Sequence, residues 1–313
     1  MKLVTFEVSG VSKLGALIND RILDLKATYE VASPDDAQKR ALRNMMTYLN
    51  RGEAAKEAAQ KALDYAVSNP DKAVWGKGVL QAPIPCPPKL LLLAGNYAEH
   101  IREGGGEAPE KQTTTPRFFM KPPSITVIAH EQPIIIPPNA VWVDWEAEFA
   151  VVIGKRGKFV SASDAYDYIA GYTIVNDVSE RELRIETERV EREMDDFFDW
   201  LNGKWIDTFA PMGPCLVTKD EIPDPDNLNL TLKVNGVTKQ DSNTGNMIFN
   251  AAELIEFISR YITLEPGDVI STGTPEGTGH ALGERLKDGD VVEIEIEKIG
   301  VLRNPVRGAQ SNE

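Results

Sequence analysis

The run Asp144-Trp145-Glu146-Ala147-Glu148-Phe149-Ala150-Val151-Val152-Ile153-Gly154 decides how this 313-residue chain is read. Phe149 to Ile153 is short, apolar and rich in β-branched residues, and Gly154 closes it, so it reads as a strand that belongs in a core. In extended chain Glu146 and Glu148 point to one face, with side chains about 7 Å apart. Two carboxylates aimed together repel, which is tolerable on a wet face or around a cation. The apolar continuation argues for the cation. A third acid, Asp177, ends another strand-like run, Gly171 to Asp177. Three oxygen donors without thiolate or imidazole suit a hard ion, Mg²⁺, Mn²⁺ or Ca²⁺, while spacing alone leaves a solvated sheet face as the competing reading.

Working outward, Tyr172 to Asn176, Leu228 to Val234, Val269 to Thr272 and Val291 to Glu297 are further short β-like runs bounded by Gly, Pro or Asp. In the last, Val292, Ile294 and Ile296 alternate with glutamates, which gives one buried and one wet face. No regular βαβ alternation is present. The spacing predicts an α+β chain, mainly β, with a mixed β roll or barrel-like body rather than a doubly wound sheet. The first 82 residues differ. Lys2 to Ser9, Ala16 to Asn19 and Arg21 to Leu25 read as a small meander, followed by a helix start at Ser33 with Pro34 and Asp35-Asp36, and by a helix from about Glu53 to Ser68. Pro83, Pro85, Pro87 and Pro88 then mark a boundary. The expected domains are 1–82, small and α/β, and 83–313, carrying the chemistry. After Ser179, capping-box spacing to Glu182 and apolar residues at Leu183, Val190, Met194, Phe197 and Leu201 predict a helix, either packed on the body or acting as a lid.

Composition excludes several classes of function. The chain carries 34 Lys plus Arg against 48 Asp plus Glu, a net charge of -14. Such a surface repels phosphate backbones and anionic membranes, and no basic stripe offsets it, so neither nucleic acid nor membrane is an expected partner. The opening residues lack the apolar stretch of a signal peptide, and a cytoplasmic location is expected. Cys86 and Cys215 are too few for a disulfide framework and are expected as two buried free thiols.

Two further segments carry candidate chemistry. In Gly95-Asn96-Tyr97-Ala98-Glu99-His100-Ile101-Arg102-Glu103, His100 and Glu103 share a face if the segment is helical, so the carboxylate can orient the imidazole and raise its basicity. A packed or surface histidine is the plainer reading. Pro266 to Gly279 is glycine-rich but lacks the Gly-Lys-Ser/Thr of a phosphate loop and the dinucleotide spacing. It reads as a strand ending in a turn that offers a Thr hydroxyl and backbone N–H groups to a small carboxylate, or as a plain turn.

Taken in order, these segments resemble the fumarylacetoacetate hydrolase family across roughly residues 89–305. The likeness rests on Gly95-Asn96-Tyr97 with His100, Phe119-Met120-Lys121-Pro122, Asp144 to Gly154, Gly171-Tyr172-Thr173 with Asn176-Asp177-Val178-Ser179, and Gly203-Lys204. It continues through Gln240-Asp241, Pro266 to Ile270, Thr272-Gly273-Thr274-Pro275, and Gly300-Val301-Leu302 with Asn304. The resemblance implies the family's β roll, usually a homodimer, with one Mg²⁺ or Ca²⁺ on Glu146, Glu148 and Asp177. It casts His100 and Glu103 as a water-activating dyad, Lys204 as a positive group beside the substrate, and Gln240 and Thr274, with Tyr97 and Arg181, as substrate contacts. Where relatives often place Gln three residues beyond the Arg181 position, this chain has Arg184. The implied activity is metal-dependent hydrolysis of the C–C bond of an acylpyruvate-like 2,4-dioxo acid through a stabilised enolate. Isomerisation, decarboxylation or hydration of a 2-oxo dioic acid through the same enolate is the alternative, and a non-catalytic binder of small acids is a third.

Overall fold

The computed structural model describes residues 1–183 and 189–309. Every residue of the deciding strand, Ala147–Ile153, is buried, because both its faces meet a core. Phe149, Val151 and Ile153 enter one hydrophobic cluster and Ala150 and Val152 the other, as the two-residue period of a strand requires. Glu146 and Glu148 share the parity of Ala150 and Val152. The strand pairs antiparallel with Ile169–Asn176 on one side and Val269–Ser271 on the other.

Among the described residues these strands lie in the middle of an eleven-stranded sheet. Its main path runs Arg21–Asp24, Val11–Ile18, Lys2–Val8, Ala210–Thr218, Ile169–Asn176, Ala147–Ile153, Val269–Ser271, Leu90–Ala94 and Arg117–Lys121. A five-stranded sheet, ordered Val237–Asn243, Asn229–Val234, Val291–Ile296, Gly300–Gly308, Ile134–Ile136, supplies the opposing apolar face. In it Val292, Ile294 and Ile296 are buried, as their alternation with glutamates predicts. The architecture is mixed α+β, with only slightly more strand than helix. No helix among the described residues is long and apolar enough to cross a membrane.

The first 82 residues form the expected meander and helices, but they do not pack as a separate body. Lys2–Val8 pairs with Ala210–Thr218, matching Leu3 to Leu216, so the meander extends the central sheet. Leu3, Leu14 and Leu23 share one cluster with Leu90, Leu92, Ala150, Val152 and Val269. The proline-rich segment is thus a crossing between two parts of one core. The helix Glu53–Ser68 forms where expected and buries Ala55, Ala58, Ala59, Ala62 and Ala66.

Three local expectations are corrected. The helix start expected at Ser33 is displaced: Ser33 closes the preceding helix, Leu25–Ala32, and a short 3-10 helix, Ala37–Leu42, begins later because the Asp36 carboxylate, not the Ser33 hydroxyl, accepts from Gln38 N at 2.9 Å. Ser179 does not cap a helix. Ser179–Glu180 is a short strand against Val143–Asp144, held extended because the Glu180 carboxylate accepts from Val141 N and Trp142 N. The helix itself begins later, at Asp195–Gly203, and Arg184 lies outside the described residues. Cys215 is buried as expected, whereas Cys86 is exposed.

Candidate active site

Glu146 immediately precedes its strand and Asp177 immediately follows the neighbouring one, and the pairing Ala147↔Asn176 brings the two acids level. With Glu148 they form a buried trio whose carboxylate oxygens lie within 4.8 Å of one another. Lys204 Nζ bridges two of them, donating to Glu146 Oε2 at 2.7 Å and Asp177 Oδ2 at 2.6 Å. Arg181 donates to Asp144 through Nε at 2.9 Å and to Glu146 through its guanidinium. Lys121, fully buried, pairs with Asp177 and donates to Val178 O at 2.8 Å.

The three acids do not experience the same field. Burial would raise the Glu146 carboxyl, but Arg181 and Lys204 outweigh it and hold it ionised, well below the usual range. Glu148 goes the other way: burial, and then the charges of Asp177 and Glu146, push it well above its ordinary value. Its Oε2 accepts from Gly273 N at 3.0 Å, while Oε1 is buried with no hydrogen-bond partner among the described residues. An orphaned buried oxygen facing two like charges is what a divalent cation relieves, and the all-oxygen donor set fits a hard ion. Burial would lower the Lys204 ammonium, yet Asp177 and Glu146 raise it above its ordinary value. For Lys121 burial wins, and its pKa falls to about 8.

The dyad forms as the spacing predicts. Ala98–Glu103 is helical, and His100 Nδ1 lies 2.8 Å from Glu103 Oε1. Burial would raise Glu103, but the bond from His100 and the Gly277 N–H, at 2.7 Å, hold it below its usual value. The glycine-rich turn therefore does bind carboxylates, and they are the chain's own. Gly273 N goes to Glu148, Gly277 N and Thr278 Oγ1 go to Glu103, and Gly279 N and His280 N go to Asp144. Gly273 has φ +91, and a Cβ there would stand 2.9 Å from Asn96 Cβ, so only glycine offers its N–H in this way.

His100, Glu146, Arg181, Lys204 and Thr274 line one cavity of about 720 Å³. A second, smaller cleft of about 260 Å³ is also lined by His100 and Arg181, together with Glu103, Thr278 and His280. Gln240 is not on the cavity wall. Its amide donates to Thr274 Oγ1 at 2.9 Å and Pro275 O at 2.8 Å, and its carbonyl accepts from Ala147 N, so it fixes the Thr274 hydroxyl from behind. Tyr97 is also behind the wall: it is buried with its hydroxyl unpartnered among the described residues, and burial raises its pKa. Two residues that the sequence reading left without a role sit at the centre of this network. Asp144 holds both Arg181 and the turn at Gly279, and Lys121 holds Asp177. Asp144 shares the parity of Glu146 and Glu148, a signal present in the sequence.

The chain and its fold have known relatives. The family model described as fumarylacetoacetate (FAA) hydrolase C-terminal matches residues 89–307. The mitochondrial oxaloacetate tautomerase Fahd2a of Rattus norvegicus is 36% identical over 312 residues, covering 98% of this chain and 91% of the relative. The crystal structure of 2-hydroxyhepta-2,4-diene-1,7-dioate isomerase from Mycobacterium marinum is 38% identical, with a TM-score of 0.61, covering 75% of this chain and 79% of that one. Maleylpyruvate hydrolase from Sphingobium sp. SYK-6, in complex with manganese(II) and pyruvate, is 28% identical with a TM-score of 0.73, covering 99% and 100%.

Proposed function

The chain belongs to the fumarylacetoacetate hydrolase family, and from that premise we propose that it moves a proton between carbon and oxygen of an enolisable 2-oxo acid, the keto–enol interconversion of an oxaloacetate-like substrate. One observation carries the reading: a carboxylate-held imidazole, His100, and an ammonium, Lys204, line the same cavity as Glu146 and Arg181. The rat relative named for oxaloacetate tautomerisation, matched over nearly the whole chain, supports that choice of substrate.

Each group has a task that follows from its contacts. Because Glu103 is an ionised acceptor, His100 Nδ1 carries the proton between them and Nε2 is left basic. Nε2 takes the proton from C3 of the 2-oxo acid, and the C–H electron pair becomes the C2–C3 double bond as negative charge moves to the C2 oxygen. Lys204 and Arg181 place positive charge beside that oxygen in a site where burial strengthens the attraction. Returning the proton from Nε2 to the oxygen completes the enol and restores the base. A divalent cation held by Glu146, Glu148 and Asp177 would supply Lewis-acid polarisation of the carbonyl.

The test is the rate at which the ultraviolet absorbance of enol-oxaloacetate decays in Mn²⁺ buffer. The wild type is expected to accelerate it, and His100→Ala to lose about 10²- to 10⁴-fold while binding Mn²⁺ as before. A wild-type protein that leaves the decay unchanged sinks the proposal and favours a non-catalytic acid binder. Hydrolysis of a C–C bond is the second reading, favoured by the smaller cleft that His100 also lines, which has room for water beside the imidazole. Acetylpyruvate turning into pyruvate and acetate would decide for it.

A further inference from the structure

Much of the cavity wall takes no part in the chemistry of the 2-oxo carboxylate. Phe119, from the strand Arg117–Lys121, and Phe197 and Trp200, from the helix Asp195–Gly203, line it together. Phe119 and Trp200 meet edge to face at 5.1 Å, and Phe197 lies tilted against Trp200 at 5.8 Å. Ile248 and Phe249 continue the apolar lining. This wall starts beside the reacting end: Lys204 Nζ, which touches Glu146 and Asp177, stands 5.4 Å from the Phe119 ring and 5.7 Å from the Trp200 ring. Phe197 is 46% exposed, so a substantial apolar face looks into water at the cavity. At about 720 Å³ the cavity matches ligands of drug size and is far larger than a four-carbon diacid needs.

We infer that the aromatic wall of Phe119, Phe197 and Trp200 is a subsite for the distal end of larger substrates, and that besides an oxaloacetate-like acid the cavity takes 2-oxo acids bearing an aryl or similarly bulky apolar group. The inference rests on the head-group reading above and extends it to specificity. A ring placed there covers the exposed face of Phe197 and packs against rings at the spacing aromatic pairs favour. Arg117, which also lines the cavity, is the group that would instead favour a second carboxylate.

Pyruvate and phenylpyruvate share the head group, differ by one phenyl ring and cannot be cleaved. Calorimetry on the Mn²⁺-loaded protein is expected to give a Kd for phenylpyruvate lower by about tenfold or more, from the apolar area the ring buries. Phe197→Ala and Trp200→Leu should each pull that ratio to within about threefold of unity. Because the ratio compares two ligands on one protein, general damage to the fold cancels from it, and Phe197, being half exposed, is removable without a cavity in the core. A wild-type ratio near unity, or a ratio unmoved in both variants, overturns the inference. Oxaloacetate turnover in the same preparation separates the two ideas. Turnover without a phenyl preference leaves the tautomerase reading standing alone, and a phenyl preference without turnover leaves the subsite standing alone.

Discussion

Glu148 carries the electrostatic strain that a bound cation would relieve. Its carboxyl is raised by burial and by two neighbouring carboxylates, and one of its oxygens has no partner among the described residues. Removing its charge without changing its size should therefore stabilise the metal-free protein. Glu148→Gln is expected to raise Tm in EDTA and to lose most of the Tm gain that Mn²⁺ gives the wild type. A variant that keeps the full Mn²⁺ gain would remove Glu148 from the ligand set. His130 gives a pH dependence away from the site. Its Nδ1 accepts from Arg303 N at 3.1 Å, which requires the unprotonated atom, and burial lowers it below its ordinary 6.5. The folded state thus resists the proton that the unfolded chain accepts, so stability is full above pH 6.5 and falls as pH drops through the folded value. Tm measured from pH 7.5 to 5.5 should decline less in His130→Gln than in the wild type; equal slopes would rule this histidine out as a cause. Glu146 with Glu148, and His100 with Glu103, were legible because their spacing is local, whereas Asp177 was joined to the first pair only by its place at the end of a second strand-like run and by the family resemblance. The occupation of the turn by Glu103, Glu148 and Asp144 was not, since those partners come from elsewhere in the chain.

At the scale of elements, legibility followed how much of each signal was local. The helix Glu53–Ser68 formed where its alanine stripe placed it, and the strand Val291–Ile296 kept the face its alternation assigned. The helix start at Ser33 and the capping box at Ser179 failed for one reason. A competing carboxylate, Asp36 in the first case and Glu180 in the second, satisfies backbone N–H groups in another way. A true capping box holds the helix Ala251–Tyr261, where Asn250 and Glu253 cap each other, and this helix lays Leu254, Ile255 and Ile258 on the core. Asn250→Ala is expected to cost about 1 kcal/mol in urea unfolding with the m-value unchanged. A cost near zero would mean that the cap contributes nothing beyond what packing already supplies.

Over the whole molecule, the meander and the catalytic body share one sheet and one hydrophobic cluster, through Leu3↔Leu216 and through Leu14 and Leu23 packed with Leu92 and Val152. Deleting residues 1–82 would strip that face from the central sheet and open the edge of Ala210–Thr218. The 83–313 fragment is expected to aggregate or to show no cooperative unfolding. A soluble fragment melting like the full chain would restore the two-domain picture. What the sequence determined by itself was whatever depends on near neighbours along the chain: the strand and its parity, the pairing of His100 with Glu103, and the α+β class. The tertiary structure alone decided which carboxylates meet the N–H groups of the turn, that Lys121 and Lys204 stand among the acids, that Gln240 works from behind Thr274, and that an aromatic wall adjoins Lys204. Those contacts join residues tens to hundreds of positions apart, and neither periodicity nor propensity carries information over that range.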